Sequence, residues 1–254
     1  MFYGLIAFSI HFIIYWVMVV LYDDVYNIEA CKNSLKNQFI LTLPLSILFF
    51  NYYPIEYNNI FISFACIPFI IVTSDIYFYL SHRPMHTKLL YKYHKHHHTG
   101  EVCVAKALDA DGIEHIIGNL GSFISGILLL WYFGFIINIY IFTTWVGLVT
   151  INTCVSHNKN PPITDKGLHL NHHKYRNCNY GFGFYIMDRM MGTYKIEYGP
   201  ELLLEKSESK GQDIQSWTQI MQTFIESVIR ENPTPWMCGH RRWKTRPPEE
   251  KKIY

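Results

Sequence analysis

Long apolar stretches without a charged residue alternate with short polar segments along this chain. Residues 1–22, 37–55, 57–74 and 116–158 contain no Asp, Glu, Lys or Arg. A membrane-spanning helix needs about 20 mostly apolar residues, so the last and longest stretch can form two spans, with a turn near residues 133–135. Prolines interrupt the second and third stretches, which leaves open whether both cross completely. The pattern predicts an all-α integral membrane protein with four to five membrane-embedded helices.

The positive charges fall in only three of the polar segments. Of the 22 Lys and Arg residues, two lie in 23–37, five in 81–112 and fifteen after residue 158. If five spans cross, these segments share one side of the membrane. Because short cytoplasmic loops carry the excess of Lys and Arg, this side is predicted to be cytosolic and the N-terminus to lie across the membrane. The first span lacks a basic leading segment and a small-residue cleavage site, so it is expected to stay uncleaved.

Three regions follow from this division of the chain. Residues 1–80 are expected to form N-terminal transmembrane helices, and residues 81–199 a catalytic region that includes a transmembrane hairpin at 116–157. Residues 200–254 are more polar and are expected to form a helical cytosolic cap and tail, with the cap helping to hold the centre described below.

Composition excludes several classes of protein. Half of the residues are hydrophobic and 17% are charged, below the roughly 25% usual in soluble domains. A formal net charge of +2 is too small to indicate nucleic-acid binding. The six cysteines contain no CxxC pair and are widely spaced, which argues against a disulfide framework or a structural zinc ribbon.

Ten of the thirteen histidines are concentrated in 82–98 and 157–173. They form one HxxxH motif and two HxxHH motifs, and residues i, i+3 and i+4 of a helix share a face. Two predicted crossings separate the two regions, so both emerge on the same side of the membrane. Eight or more imidazoles exceed the four ligands of a zinc site, and the excess indicates two metal ions. The sequence therefore predicts a histidine-rich di-metal centre just outside the bilayer.

The remaining histidines fit this centre less well. His96 is out of register with the HxxHH motif and is expected to support a ligand or to face solvent. His115, at the mouth of a span, is either a further ligand or an interfacial histidine. His11 and His240 are interpreted as structural or incidental. A single HxxxH motif is common on helix surfaces, so the prediction depends on the three motifs together.

The histidine motifs and their surroundings resemble a known family. The stretches "DIYFYLSHRPMH", "YKYHKHHH" and "LHLNHHKYRNCNYGFGFYIMDRMMGT" are similar to the fatty acid hydroxylase and sterol desaturase superfamily of membrane di-iron oxidoreductases. The similarity covers roughly residues 75–195 and is greatest to its sterol branch, the C-4 methylsterol oxidases and sterol hydroxylases. It implies that Asp75 does not bind the metal itself but orients one of the residues that do. The implied iron ligands are His82, His86, His94, His97, His98, His157, His169, His172 and His173.

The resemblance also implies an activity. Two iron ions and O2 as co-substrate would hydroxylate or desaturate a lipid, with electrons from NAD(P)H delivered by cytochrome b5 and its reductase or an equivalent donor. A sterol is the first expectation and a fatty acyl chain or sphingoid base the alternative. The chain departs from the sterol branch at "HNKN", at "HIIG" and at the Met187–Asp188 pair, and so leaves the substrate open. Imidazole ligands alone would also accept zinc.

Two other functions, a membrane zinc protease and a metal transporter, fit the sequence less well. A membrane zinc protease would need HExxH, which the chain lacks. A metal transporter needs coordinating groups at membrane depth, whereas these motifs lie at the ends of the spans. The final "KKIY" fits a dilysine signal for retrieval to the endoplasmic reticulum in a eukaryotic cell, which agrees with the predicted cytosolic side.

Overall fold

The computed structural model describes residues 1–23, 27–158 and 167–196, and this part of the chain is helical without a strand. The longer elements are separated by short helical turns near the polar segments. The α-helices are α1 (Phe2–Tyr22), α2 (Ile28–Asn37), α3 (Leu43–Tyr52), α4 (Ile60–Ala65), α5 (Ile67–Met85), α6 (Tyr91–His94), α7 (Gly112–Glu114), α8 (Gly121–Tyr132), α9 (Ile139–Ser156), α10 (Leu168–Tyr175) and α11 (Ile186–Met191). π-helical turns link α2 to α3 (Gln38–Thr42) and α7 to α8 (His115–Leu120), and a 3₁₀ turn covers Val104–Leu108.

Four helical segments among the described residues are long and apolar enough to cross a membrane. They are Phe2–Tyr22, Ile60–Met85, Gly112–Tyr132 and Ile139–Ser156. They confirm the predicted all-α membrane fold. The turn between the last two contains Gly134, whose φ of +83° a side chain would disfavour.

The stretch expected at 37–55 forms part of a longer helical pass that is not among these four. Its first third, α2, is polar, and its side chains hold the 3₁₀ turn: Ser34 donates to the Ala105 carbonyl and Asn37 to those of Leu108 and Ala110. Asn27 caps this helix by accepting the Ala30 N–H. This helical stretch therefore begins with a polar segment whose buried side chains pack on the 3₁₀ turn.

Contacts at the two ends of the bundle fix the direction of each pass. At one end, the Asp23 carboxylate after α1 accepts the N–H groups of Val104 and Ala105. At the other end, the Ile139 N–H donates to the Glu56 carbonyl, and the Met1 amino group donates to Asn51. The polar segments around 23–37 and 81–112 thus lie at the same end of the bundle, as the charge pattern predicted.

Close approach of helices depends on glycine at two places. A Cβ on Gly126 of α8 would lie 2.8 Å from the Ile70 Cα of α5, and one on Gly4 of α1 would lie 2.7 Å from the Ile47 Cα of α3. Neither distance leaves room for a methyl group. The Gly126 contact brings α8 close to α5, the helix that carries His82, and the Gly4 contact brings α1 close to α3.

The predicted cap at 200–254 lies outside the described residues, and the three-region division stays a prediction.

Candidate metal centre

Nine histidines meet at one end of the bundle in two groups. The ligand nitrogens within each group all lie within 4.8 Å of one another. Cluster one consists of His82, His86, His94, His98 and His172, and cluster two of His97, His157, His169 and His173. These are the nine residues that the sequence singled out as ligands.

Helical spacing determines which histidines of a motif share a cluster. Each i, i+4 pair stays together: 82 with 86, 94 with 98, and 169 with 173. The i+3 members, His97 and His172, join the opposite cluster. Both HxxHH motifs therefore contribute to both groups, which keeps the two clusters adjacent.

In cluster one, lone pairs face each other. The Nδ1 of His82 lies 2.8 Å from the Tyr180 carbonyl oxygen, and that of His94 lies 2.7 Å from Glu114 Oε1. A carbonyl or carboxylate oxygen only accepts, so each Nδ1 donates the single N–H of a neutral imidazole. Their Nε2 atoms, 2.9 Å apart, then both present lone pairs. Two lone pairs at that distance repel, and a shared cation between them would remove the repulsion.

His172 repeats the same arrangement from α10. Its Nδ1 lies 2.8 Å from the Cys178 carbonyl oxygen, and its Nε2 lies 3.1 Å from His98 Nε2. Backbone carbonyls of the segment after α10 thus orient two imidazoles, His82 and His172. This is how metal-binding histidines are usually held: the second ring nitrogen donates to a carbonyl or a carboxylate.

Cluster two is assembled around the end of α9. His157 Nδ1 lies 2.9 Å from the Thr153 carbonyl oxygen, which directs its Nε2 to within 3.2 Å of His97 Nε2. The rings of His169 and His173 pack against His157, with centroids 4.6 and 5.2 Å away. His173 Nε2 is buried and has no hydrogen-bond partner. A buried polar atom without a partner is costly, and a metal ion would satisfy it.

Burial keeps these imidazoles neutral. It lowers the pKa of His86 and His157 to about 4 and that of His98 to about 3. Nearby Arg176 contributes to the lowering at His86 and His98. Burial, together with neighbouring imidazoles, also lowers the pKa of His94, His97, His169, His172 and His173. Neutral imidazole is the form that binds a metal, so the clusters are in the binding state at neutral pH.

The residues present fit two metal ions. Imidazole nitrogens bind such ions at about 2.0–2.1 Å, so opposite ligands of one ion lie about 4 Å apart. The 4.8 Å limit within each cluster is close to this value. An all-nitrogen ligand set suits iron, zinc, copper or nickel, and does not choose among them.

Two buried carboxylates hold the segment whose carbonyls orient cluster one. Asp75 accepts the backbone N–H groups of Phe182, Tyr185 and Ile186. Asp188 accepts those of Tyr180 and Gly181, and the Thr193 hydroxyl. Burial raises the pKa of Asp188, while these hydrogen bonds and Arg83 act in the opposite direction. The hydrogen bonds of Asp75 go to this segment, whose Tyr180 carbonyl lies 2.8 Å from His82 Nδ1.

Of the remaining four histidines, the three that the structure describes lie outside both clusters. His96 is half-exposed and pairs with Asp109, 2.7 Å away. His115 is buried, with Nε2 2.8 Å from the Thr42 hydroxyl and Nδ1 3.4 Å from the Asn119 amide. His11 is buried in α1, and His240 lies outside the described residues.

Glu114 is the site residue that the sequence reasoning missed. It is buried, and its carboxylate lies 2.7 Å from His94 Nδ1. In the sequence it directly precedes His115, which was predicted to be either a further ligand or an interfacial histidine. The available signal was an acidic residue at the start of an otherwise charge-free span. For Asp188, the sequence predicted no role beyond its place in the Met187–Asp188 pair.

Among the described residues, two cavities touch the clusters and a third lies close to them. A cavity of about 460 Å³ contacts cluster one through His86. A small cavity of about 20 Å³ touches both clusters, through His82, His94, His97 and His157, and contacts Glu114. A larger apolar cavity of about 600 Å³ lies between the spans, and Phe123 lines both this cavity and the small one.

Comparison with known proteins gives one extended family match. The family model "Fatty acid hydroxylase" matches residues 67–193, half of the chain, and includes all nine cluster histidines. A second model, "Bacterial lipid A biosynthesis acyltransferase", matches 184–245, most of which lies outside the described residues.

A curated relative and the solved structures complete the comparison. The Delta(7)-sterol 5(6)-desaturase of Candida glabrata is 26% identical over 197 residues, which cover 71% of this chain and 53% of that protein. The chain therefore spans about half the length of this curated relative. No solved structure matches.

Proposed function

Because this chain belongs to the fatty acid hydroxylase family, we propose that it is a membrane-bound oxidoreductase that uses O2 and two iron ions to hydroxylate or desaturate a lipid. The observation that carries the proposal is the pair of histidine clusters, whose small cavity shares the lining residue Phe123 with an apolar cavity between the spans.

The clusters would hold one ion each. Cluster one offers five imidazoles and cluster two offers four. Iron bound there would supply the activation of O2 needed to oxidise an unactivated C–H bond. The chain itself orients the ligands through carbonyl and carboxylate acceptors and keeps them neutral by burial. It also surrounds the centre with protein, which limits the access of water.

The larger cavity supports a lipid substrate. Its volume of about 600 Å³ falls in the range of about 300–1,000 Å³ typical of small-molecule sites. Leu48, Ile117 and Leu128, which line it, each have more than a third of their surface exposed, so the cavity is not closed off by protein there. A lipid could therefore enter sideways from the bilayer and reach the centre past Phe123. A sterol is the proposed substrate, supported by the name of the relative, with a fatty acyl chain or sphingoid base as the alternative.

The centre needs an external electron donor. We assign this role to cytochrome b5 and its NAD(P)H-dependent reductase, or an equivalent pair. Arg83, Lys92 and Lys95 are exposed beside the cluster histidines. This positive surface would attract a partner with an acidic face.

The test compares lipids and bound metal in yeast that expresses the wild type, His97→Ala/His98→Ala, or His96→Ala. The double variant removes one ligand from each cluster, whereas His96 is a half-exposed neighbour outside both and is the matched control. We expect a lipid with one added oxygen or two fewer hydrogens in cells with the wild type and the control, and none with the double variant. Mass spectrometry of sterols and fatty acids identifies the product.

The same samples test the metal assignment. Purified wild type and control are expected to contain two iron ions per chain, and the double variant fewer. Unchanged lipid oxidation by the double variant would refute the proposed centre. Bound metal without any lipid product, together with metal uptake into cells, would instead favour a transporter.

A further inference from the structure

The wall of the large cavity is mostly apolar, with a few polar side chains that include Thr42, Ser46 and Ser125. Aromatic and aliphatic side chains from α1, α3, α8 and α9 line it, including Phe8, Phe142 and Trp145. His11 of α1 lines it as well. Among the described residues on this wall, His11 is the one with a fully buried side-chain nitrogen, Nε2, that lacks a hydrogen-bond partner.

The hydrogen bonds around His11 fix its tautomer. The Thr150 hydroxyl donates its only hydrogen to the Val146 carbonyl, 2.7 Å away. It must therefore accept from His11 Nδ1, which lies 2.9 Å from it. A neutral imidazole with its hydrogen on Nδ1 has a lone pair on Nε2. His11 consequently offers a hydrogen-bond acceptor, on the ring edge that faces away from Thr150.

His11 contacts the residue that lines both cavities. Its ring packs edge-to-face against Phe123, with centroids 6.3 Å apart, and Phe123 lines both the large cavity and the small one at the clusters. Thr150 precedes Thr153, the residue whose carbonyl orients His157, by about one helical turn. A group bound to His11 would thus lie close to the centre, with the rest of the lipid extending away from it.

We infer that His11 Nε2 accepts a hydrogen bond from a hydroxyl group of the lipid and so selects hydroxyl-bearing lipids with that end directed to the metal centre. The inference rests on the proposed function for the identity of the cavity as the substrate site. An unpaired buried acceptor is unfavourable, and a hydroxyl donor removes that penalty. Both a sterol hydroxyl and the hydroxyl of a long-chain alcohol have this chemistry.

The test measures binding alone, so it does not depend on turnover. The full chain, as purified and without reductant, is placed in phosphatidylcholine nanodiscs. Two matched pairs of probes are titrated: cholesterol against its methyl ether, and hexadecanol against its methyl ether. Each ether lacks the donor and is larger than its parent by one methyl group, so the change of the ratio in the His11 variants separates the hydrogen bond from the added bulk. Binding is read from the fluorescence of Trp131 and Trp145, which line the cavity.

We expect the wild type to bind at least one alcohol about tenfold more tightly than its ether, the ratio expected for one hydrogen bond to a buried acceptor. The pair that shows the ratio identifies the source of the hydroxyl. His11→Phe should reduce the ratio to about one, and His11→Gln, which keeps an acceptor, should retain part of it. Ser46→Ala is the control, because the Ser46 hydroxyl lines the same cavity but already donates to backbone carbonyls.

Equal affinity of the wild type for alcohol and ether in both pairs would overturn the inference, and this comparison needs no variant to fold. An unchanged ratio in His11→Phe would overturn it as well. A retained ratio without any lipid oxidation would leave the hydroxyl site standing and remove the proposed activity. Lipid oxidation with a ratio of one would do the reverse.

Discussion

At the scale of single residues, Glu114 sets the orientation of one ligand. Its carboxylate lies 2.7 Å from His94 Nδ1, and both side chains are almost fully enclosed. Removing the acceptor leaves His94 free to turn its other nitrogen away from cluster one. Loss of such a supporting group usually weakens metal binding about 10–100-fold.

Glu114→Ala is therefore expected to weaken metal binding to cluster one by at least about tenfold, whereas Glu114→Gln should keep most of the affinity. The amide oxygen of Gln can still accept from Nδ1. Competition with a chromophoric chelator, using Co²⁺ as the probe, measures the affinity of each variant. Glu29→Gln, an exposed position far from the clusters, is the control, and equal affinity in the Ala and Gln variants would contradict this role.

The lowered pKa values predict how pH affects the metal-free protein. In the folded chain the pKa of His86 and of His157 is about 4 and that of His98 about 3, against 6.5 for an exposed imidazole. As pH falls below about 6.5, the unfolded chain takes up protons that the folded chain does not bind. The free energy of unfolding must then decrease with falling pH, by about 1 kcal/mol per imidazole at pH 5.5.

The three imidazoles together contribute about 3 kcal/mol, and about 1 kcal/mol corresponds to about 2–4 °C in a chain of this size. We therefore expect the unfolding temperature of chelator-treated protein to fall by at least about 6 °C between pH 7.5 and pH 5.5. His97→Ala/His98→Ala should show a smaller fall because it has fewer buried imidazoles. Differential scanning fluorimetry in detergent measures both. A rise in stability toward pH 5.5 would contradict the burial argument.

At the scale of secondary-structure elements, the contact between α5 and the segment after α10 organises the centre. Asp75 of α5 accepts three N–H groups of that segment at 2.8–3.1 Å. Asp75→Asn replaces one acceptor oxygen by a donor and leaves at least one buried N–H unpaired, at a cost of about 1–3 kcal/mol. Since the Tyr180 carbonyl in this segment orients His82, metal binding should weaken as well.

The matched control for Asp75→Asn is Ser74→Ala at the adjacent position. Ser74 is equally buried, and its hydroxyl has no hydrogen-bond partner. Removing it should cost little stability and leave metal binding unchanged. We expect a clearly lower unfolding temperature and metal affinity for Asp75→Asn alone. Equal effects of the two substitutions would assign Asp75 to general packing.

At the scale of the whole molecule, the orientation in the membrane remains a prediction from charge. Because the Lys and Arg residues collect at the histidine end, we expect Lys92 to face the cytosol and Asn58 to lie on the opposite side. Single cysteines at these positions, in a background without native cysteines, are labelled with an impermeant maleimide. Lys92→Cys should react once the plasma membrane is opened, and Asn58→Cys only after solubilisation. The opposite labelling would reverse the topology.

Retrieval to the endoplasmic reticulum by "KKIY" also stays a prediction, since these residues lie outside the described part.

Much of the site could be predicted because local spacing determines it. Helical periodicity places His82 with His86, and charge-free length marks the spans, so local sequence predicted the three histidine motifs and the membrane fold. The full set of nine ligands was implied by the resemblance to the family. The sequence stretches around the motifs also indicated the family.

Only tertiary packing decided which motifs share a metal site and what holds their ligands. The assignment of His97 and His172 to opposite clusters requires contacts between segments more than 70 residues apart. The backbone carbonyls of Tyr180, Cys178 and Thr153 accept hydrogen bonds from cluster histidines. Every residue has such a carbonyl, so no sequence pattern marks these three. His11 appeared incidental in the sequence, because the cavity around it exists only once four helices have packed together.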